Sequence, residues 1–83
     1  MLMNFERALS YVKAGGAIAR EGWNGKGLSV HIQRPDATSK MTLPYLHLQY
    51  PDGTKVPWIA SQTDLLSDDW IVAGILKAEK EAI

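Results

Sequence analysis

The sequence predicts an α+β domain in which one N-terminal helix packs on a small antiparallel sheet of four to five strands. Three observations predict it. An apolar stripe of helical period is confined to the N-terminal segment, several later segments alternate with period two, and Gly-, Pro- and Asn-rich turns separate them. The 83 residues read as a single ligand-binding domain, 1–83, with 74–83 as a helical or frayed tail.

Asn4 is suited to cap a helix, since its side-chain oxygen can accept from an orphan backbone N–H. Phe5, Ala8, Leu9 and Val12 follow at i, i+3, i+4 and i+7 and share one face. Glu6 and Lys13 match the sign of the helix dipole at each end, and Gly15-Gly16 stops the helix. The spacing therefore predicts a helix over Asn4 to Ala14.

Ala17 to Arg20 predicts a short strand, and Asn24-Gly25 signals a turn. In Leu28 to Gln33, Leu28, Val30 and Ile32 face one way and Ser29, His31 and Gln33 the other, the mark of a half-buried strand. The two strands form a hairpin whose turn carries Trp23. Arg34 to Leu43 is a polar, irregular connection. Tyr45 to Tyr50 alternates again, Pro51-Asp52-Gly53 turns the chain, and Lys55 to Ile59 gives a further strand. Pro57 cannot donate to a ladder, so that strand is an edge or is distorted. Ser61-Gln62-Thr63-Asp64 starts one short helical turn, and Trp70 to Ala73 forms the last strand.

The charge and composition exclude several functions. Nine Lys and Arg balance nine Asp and Glu, so the chain lacks the basic excess of a duplex-binding protein. Without cysteine there is no disulfide and no thiol catalysis, and a reducing cytosol fits. Met1 to Glu6 does not read as a secretory signal, and the longest apolar run, Ile71 to Leu76, is too short for a bilayer. The expectation is a cytoplasmic protein with neither a nucleic-acid nor a membrane partner.

Two segments carry candidate binding chemistry. Gly22-Trp23-Asn24-Gly25-Lys26-Gly27 sets a flat aromatic surface, an amide and an ammonium among glycines whose N–H groups can approach an anion. Trp23 either stacks on a ligand or folds back over the core. Gly25-Lys26 is not a phosphate-binding P-loop, because the spacing, the following hydroxyl and the following helix are all missing. The second segment, Trp58 to Asp64, offers a stiff aromatic, the Ser61 hydroxyl, the Gln62 amide and the Asp64 carboxylate. Its alternative is an ordinary capped turn.

Catalysis is not expected. His31 and His47 lie on polar strand faces, solvated or paired across strands, without the company a metal needs. Asp68 and Asp69 are adjacent, point to opposite sides and read as a solvated turn. No serine sits in a nucleophile-elbow pattern. The expected cofactor and metal content is none.

In order along the chain stand Asn4-Phe5-x-x-Ala8-Leu9, Gly15, Arg20, Trp23-Asn24-Gly25-Lys26-Gly27, Tyr45, Asp52-Gly53, Val56-Pro57-Trp58, Ser61-x-x-Asp64-Leu65 and Asp69-Trp70. This pattern, spanning roughly residues 4–73, resembles the second described type of phage Thoeris anti-defence protein, a family first catalogued as a domain of unknown function. The resemblance implies a sponge in the host bacterial cytosol. Such a protein binds cyclic ADP-ribose isomers made by TIR-domain immune enzymes and does not cleave them. Some relatives hold cyclic dinucleotides, and the family forms homo-oligomers, tetramers in described cases.

Carried over by position, the resemblance implies that Trp23 stacks on a base or ribose, Asn24 bonds a polar edge and Lys26 meets the pyrophosphate. It makes Trp58, Ser61, Gln62 and Asp64 a second wall, and Arg20 an extra phosphate contact. The alternatives are a cyclic-dinucleotide sponge and a protein-interaction module that blocks a host protein through its Trp loop.

Overall fold

The structure, a computed structural model, describes residues 2–23 and 26–73. The predicted helix is present as α1, Phe5–Lys13. Asn4 caps it by accepting the Arg7 N–H at 2.9 Å, and the chain leaves through Gly15 at φ +104°. Its inner face buries Ala8 and Val12 completely, with Phe5 and Leu9 packed alongside.

Five antiparallel strands follow: β1 (Ile18–Arg20), β2 (Ser29–Gln33), β3 (Tyr45–Gln49), β4 (Lys55–Pro57) and β5 (Trp70–Val72). Their spatial order is β4-β3-β2-β1-β5. The last strand therefore returns beside the first. Its register sets Ile18 opposite Val72 and Arg20 opposite Trp70. Met3 bridges the outer side of β5, exchanging bonds of 2.9 and 3.0 Å with Trp70, so this edge is paired. Pro57 lies on edge strand β4, the place its missing N–H requires.

The α1 side of the sheet holds the core. Ala8, Val12, Ile18, Val30 and Trp70 are fully buried, with Ile32, Leu46 and Leu48 packed against them. Burying a large apolar side chain is worth roughly 1.5–3 kcal/mol. These contacts, few as they are, supply most of the cohesion of a small domain. The period-two pattern that put Leu28, Val30 and Ile32 together sends Ser29, His31 and Gln33 to the opposite face. There His31 stands directly across from His47, their rings stacked at 5.4 Å and 8°. The expected cross-strand pairing holds, but His47 is buried, at 6 % exposure.

A second helix, α2 (Gln62–Leu66), begins in a complete capping box. The Ser61 hydroxyl accepts the Asp64 N–H, and the Asp64 carboxylate accepts the Ser61 N–H. The expected helical or frayed tail, 74–83, lies outside the described residues. No helix among the described residues is long and apolar enough to cross a membrane.

Candidate functional site

The strand order brings the two candidate segments to one place. Arg20 at the end of β1 meets Asp69, the residue just before β5. Its Nε donates to Asp69 Oδ1 at 2.8 Å, Nη2 to Asp69 Oδ2 at 3.3 Å and Nη1 to Asp64 Oδ1 at 2.8 Å. The three side chains are only 15 % (Arg20), 13 % (Asp64) and 27 % (Asp69) exposed. Asp69 Oδ2 also accepts the Gly22 N–H at 2.8 Å, fixing the first residue of the Trp23 loop. Asp69 is thus not part of the solvated turn expected of Asp68-Asp69. Pairing of β5 with β1 places it against a guanidinium, whose forked donors match a carboxylate.

These contacts set the protonation states. Hydrogen bonds to Asp69 and then to Asp64 raise the Arg20 pKa above its ordinary value. The Arg20 donors, against some burial, hold the Asp69 carboxyl below the usual carboxylate range. Burial pushes Asp64 upward, but its bonds from Arg20 and Ser61 outweigh it and leave that carboxyl low as well. All three groups are charged at neutral pH, so one guanidinium is shared by two carboxylates and the cluster keeps one net negative charge.

Gly22 has no room for a side chain. A Cβ there would lie 2.7 Å from Asp69 Oδ2 and 3.0 Å from Arg20 Nη2. From this anchor the chain makes a short 3-10 turn, Glu21–Trp23, and folds Trp23 edge-on against Trp70 at 5.4 Å. Trp58 meets the same ring from the other segment at 5.9 Å, and Phe5 meets both. Trp70 Nε1 donates to the Asp64 carbonyl at 2.9 Å, which ties α2 to the sheet.

Each sequence-predicted residue can now be placed. Trp23 and Trp58 are half-buried on Trp70, combining the core-covering role with a partly exposed rim. Arg20 and Asp64 are engaged with each other, and Ser61 caps α2. Gln62 and Lys26 are exposed, and Asn24 lies outside the described residues. Asp69 and Trp70, given no binding role by the sequence reading, organise the arrangement. Their role follows from β5 returning to β1, a long-range pairing with no local signal.

Behind the loop, on the sheet face away from α1, a half-open cleft of about 250 Å³ runs from Gly27 past Ser29 and His31 to Gln49 and Tyr50. Gly27 adopts φ +75°, a left-handed conformation that other residues disfavour. A Cβ there would lie 2.5 Å from Pro51 Cγ, so the wall closes only around glycine. Ser29 Oγ and His31 Nε2 are 2.8 Å apart within the cleft. Among the described residues, none of the side chains lining it carries a fixed charge.

Residues 3–73 match the family described as the Thoeris anti-defense 2-like domain. Among curated proteins, the chain is similar to "Thoeris anti-defense 2" of Bacillus phage SP01, with 30% identity over 81 residues, covering 82% of this chain and 91% of that protein.

Proposed function

The chain belongs to the Thoeris anti-defense 2-like family, and on that premise we propose that it acts as a sponge, binding a cyclic nucleotide signal of the cyclic ADP-ribose type and holding it unaltered. The observation that carries this reading is the meeting of the Trp23 loop and the Trp58–Asp64 segment around Trp70. Sequence-distant aromatic edges, the exposed Gln62 amide and the loop bearing Lys26 are thereby assembled on one rigid base.

The roles divide by engagement. Arg20, Asp64, Asp69 and Ser61 fix the shape of the site. Trp23, Trp58, Gln62 and Lys26 face the ligand, with Lys26 at its phosphates. A sponge needs affinity and no chemical step. Binding at 1 nM corresponds to about 12.3 kcal/mol. A stacked base at roughly 1–3 kcal/mol and charge-assisted bonds at roughly 1.5–3 kcal/mol each, together with apolar burial, reach that range after ordering costs. The protein works in the host cytosol, where the signal is made.

Calorimetric titration with a cyclic ADP-ribose isomer and a cyclic dinucleotide tests the reading. Nanomolar binding of the first is expected, weakened at least tenfold by Lys26→Ala with the melting temperature unchanged. Absence of binding to both would shift the function to direct inhibition of a host protein.

We also propose a homo-oligomer, a tetramer as in the described family. Ile59 and Leu66 are 90 % and 78 % exposed and are the apolar side chains that such an interface would cover. Light scattering of the purified protein should give an oligomer mass that Ile59→Asp or Leu66→Asp lowers, and a monomer for the wild type would refute the assembly.

A further inference from the structure

We propose that residues 74–83 fold back as a short amphipathic helix over the β1–β5 half of the sheet face that points away from α1. This covering of the second face is independent of the ligand. The two halves of that face differ in kind. Across β2 and β3 it is formed by Ser29, His31, His47 and Gln49, the polar side of alternating strands. Across β1 and β5 it is formed by Ala17, Ala19, Ile71 and Ala73, because Ile18 and Trp70 turn into the core. Ala17-Ile18-Ala19 and Trp70-Ile71-Val72-Ala73 are thus unbroken apolar runs. Such runs mark strands covered on both faces, whereas a strand with one solvated face alternates.

The α-helices among the described residues lie on the other side of the sheet. α1 packs on the core, and α2 is tied to Trp70 and packs beside α1. Yet Ala17 and Ala19 are only 5 % and 8 % exposed, so this half is not a solvated surface. Its shape suits a helix. β1 lies between β5 and β2, so the two alanines form the floor of a shallow trough, with Ile71 on one side and Ser29 and His31 on the other. Alanine has nothing beyond its Cβ, and a helix can approach such a floor closely.

The occupant follows from where the described chain ends and what comes next. It leaves β5 at Ala73, which already forms part of the cleft wall on this face. Gly74 can take turn conformations that other residues disfavour, which allows a reversal there. On a helical wheel, Ile75, Leu76, Ala78, Ala82 and Ile83 fall within an arc of about 160°, and Lys77, Lys80 and Glu81 fall outside it. A helix from Ile75 to Ile83 is about 14 Å long, and a three-residue strand such as β1 or β5 is roughly 10 Å. Glu79 is the one charge inside the arc. The face it would meet carries the His31 imidazole and, on β4, Lys55, with no carboxylate among its described strand residues.

The test uses the full chain. Methyl-to-methyl Overhauser contacts should join Ile75 and Leu76 to Ala17 and Ala19. They should persist when isotope-labelled protein is co-refolded with a large excess of unlabelled protein, as contacts within one chain must. Leu76→Asp should abolish them and lower the melting temperature by about 4 °C or more. Lys77→Ala, on the outer side of the helix, should keep them and move the melting temperature by less than about 2 °C. Contacts that vanish on dilution of the label would place a second copy on this face and overturn the proposal. Absence of the contacts in the undiluted sample, with the amides of 75–83 exchanging at unprotected rates, would leave the face without its own tail and overturn it equally.

Discussion

The two sides of the Gly22–Gly27 segment are built on opposite principles. In front, Arg20, Asp64 and Asp69 answer one another, and the three tryptophans pack edge to face. Behind, the described lining of the cleft is neutral and open, and its neighbour His47 keeps a buried Nε2 with no hydrogen-bond partner among the described residues. The difference separates groups that satisfy one another from groups left open to solvent. Charged residues that look like ligand groups in the sequence hold the loop in place, and less conspicuous neutral residues line an open space.

The largest expected effect breaks the front. Trp70 is fully buried and touches Phe5, Trp23 and Trp58. Trp70→Ala should lower unfolding free energy by about 3–5 kcal/mol, a large share of the roughly 4–12 kcal/mol available to a domain of this length. Urea denaturation followed by circular dichroism measures it. A loss under 1 kcal/mol would mean that the aromatic cluster is not the keystone of the fold.

Arg20→Leu comes next, because it strands two carboxylates that are mostly shielded from water. Removing one partner of a buried pair costs roughly 3–5 kcal/mol, and partial exposure brings the expectation to about 2–3 kcal/mol. The same cluster fixes the acid response. Asp64 and Asp69 are depressed in the folded state, so their contribution is fully present above the unfolded carboxylate pKa of about 3.9. It is lost as pH falls through the lower folded values. Arg20→Leu should flatten that acid limb, and an unchanged limb would show that other carboxylates dominate it.

Gly27→Ala sharpens the comparison by attacking the boundary between the two sides. It forces both an unfavourable φ and a collision with Pro51, for a loss of roughly 1–3 kcal/mol. Gly53→Ala serves as the control. Gly53 shares the positive φ, at +91°, but has open space where a Cβ would go, so it should lose less. Equal melting temperatures for the two variants would mean that the Gly27–Pro51 contact is yielding.

His47 gives the smallest effect. Burial, and then the nearby Lys55 charge, lower its pKa below the ordinary imidazole value. Its contribution is therefore present above the unfolded value of about 6.5 and is lost as pH falls through the lower folded one. His47→Leu should remove this slope and relieve the unpartnered Nε2. An undiminished slope between pH 5 and 7 would show that His47 is not its source.

Local features of the fold were legible where local physics decides them. The Asn4 cap with its apolar stripe, the alternation of Leu28 to Gln33 and the Ser61–Asp64 capping box each follow from neighbours in sequence. So did the edge position of Pro57. The return of β5 to β1 did not, because a pairing of Arg20 with Trp70 across 50 residues leaves no periodic trace. That hidden pairing is also why Asp69 reads as solvated in the sequence and why the engagement of Arg20 with Asp64 and Asp69 is not legible there. The cleft escaped for a similar reason. Gly27 and Pro51 are distant in sequence, and the only local hint was a glycine ending the loop.

The central claim is that the ligand is held and not altered. The most direct measurement incubates the protein with a cyclic ADP-ribose isomer, removes unbound ligand, denatures the protein by heat and identifies the released compound by chromatography and mass spectrometry. The sponge account predicts stoichiometric recovery of the unchanged isomer after prolonged incubation. Recovery of a linear or hydrolysed product, increasing with time, would contradict it.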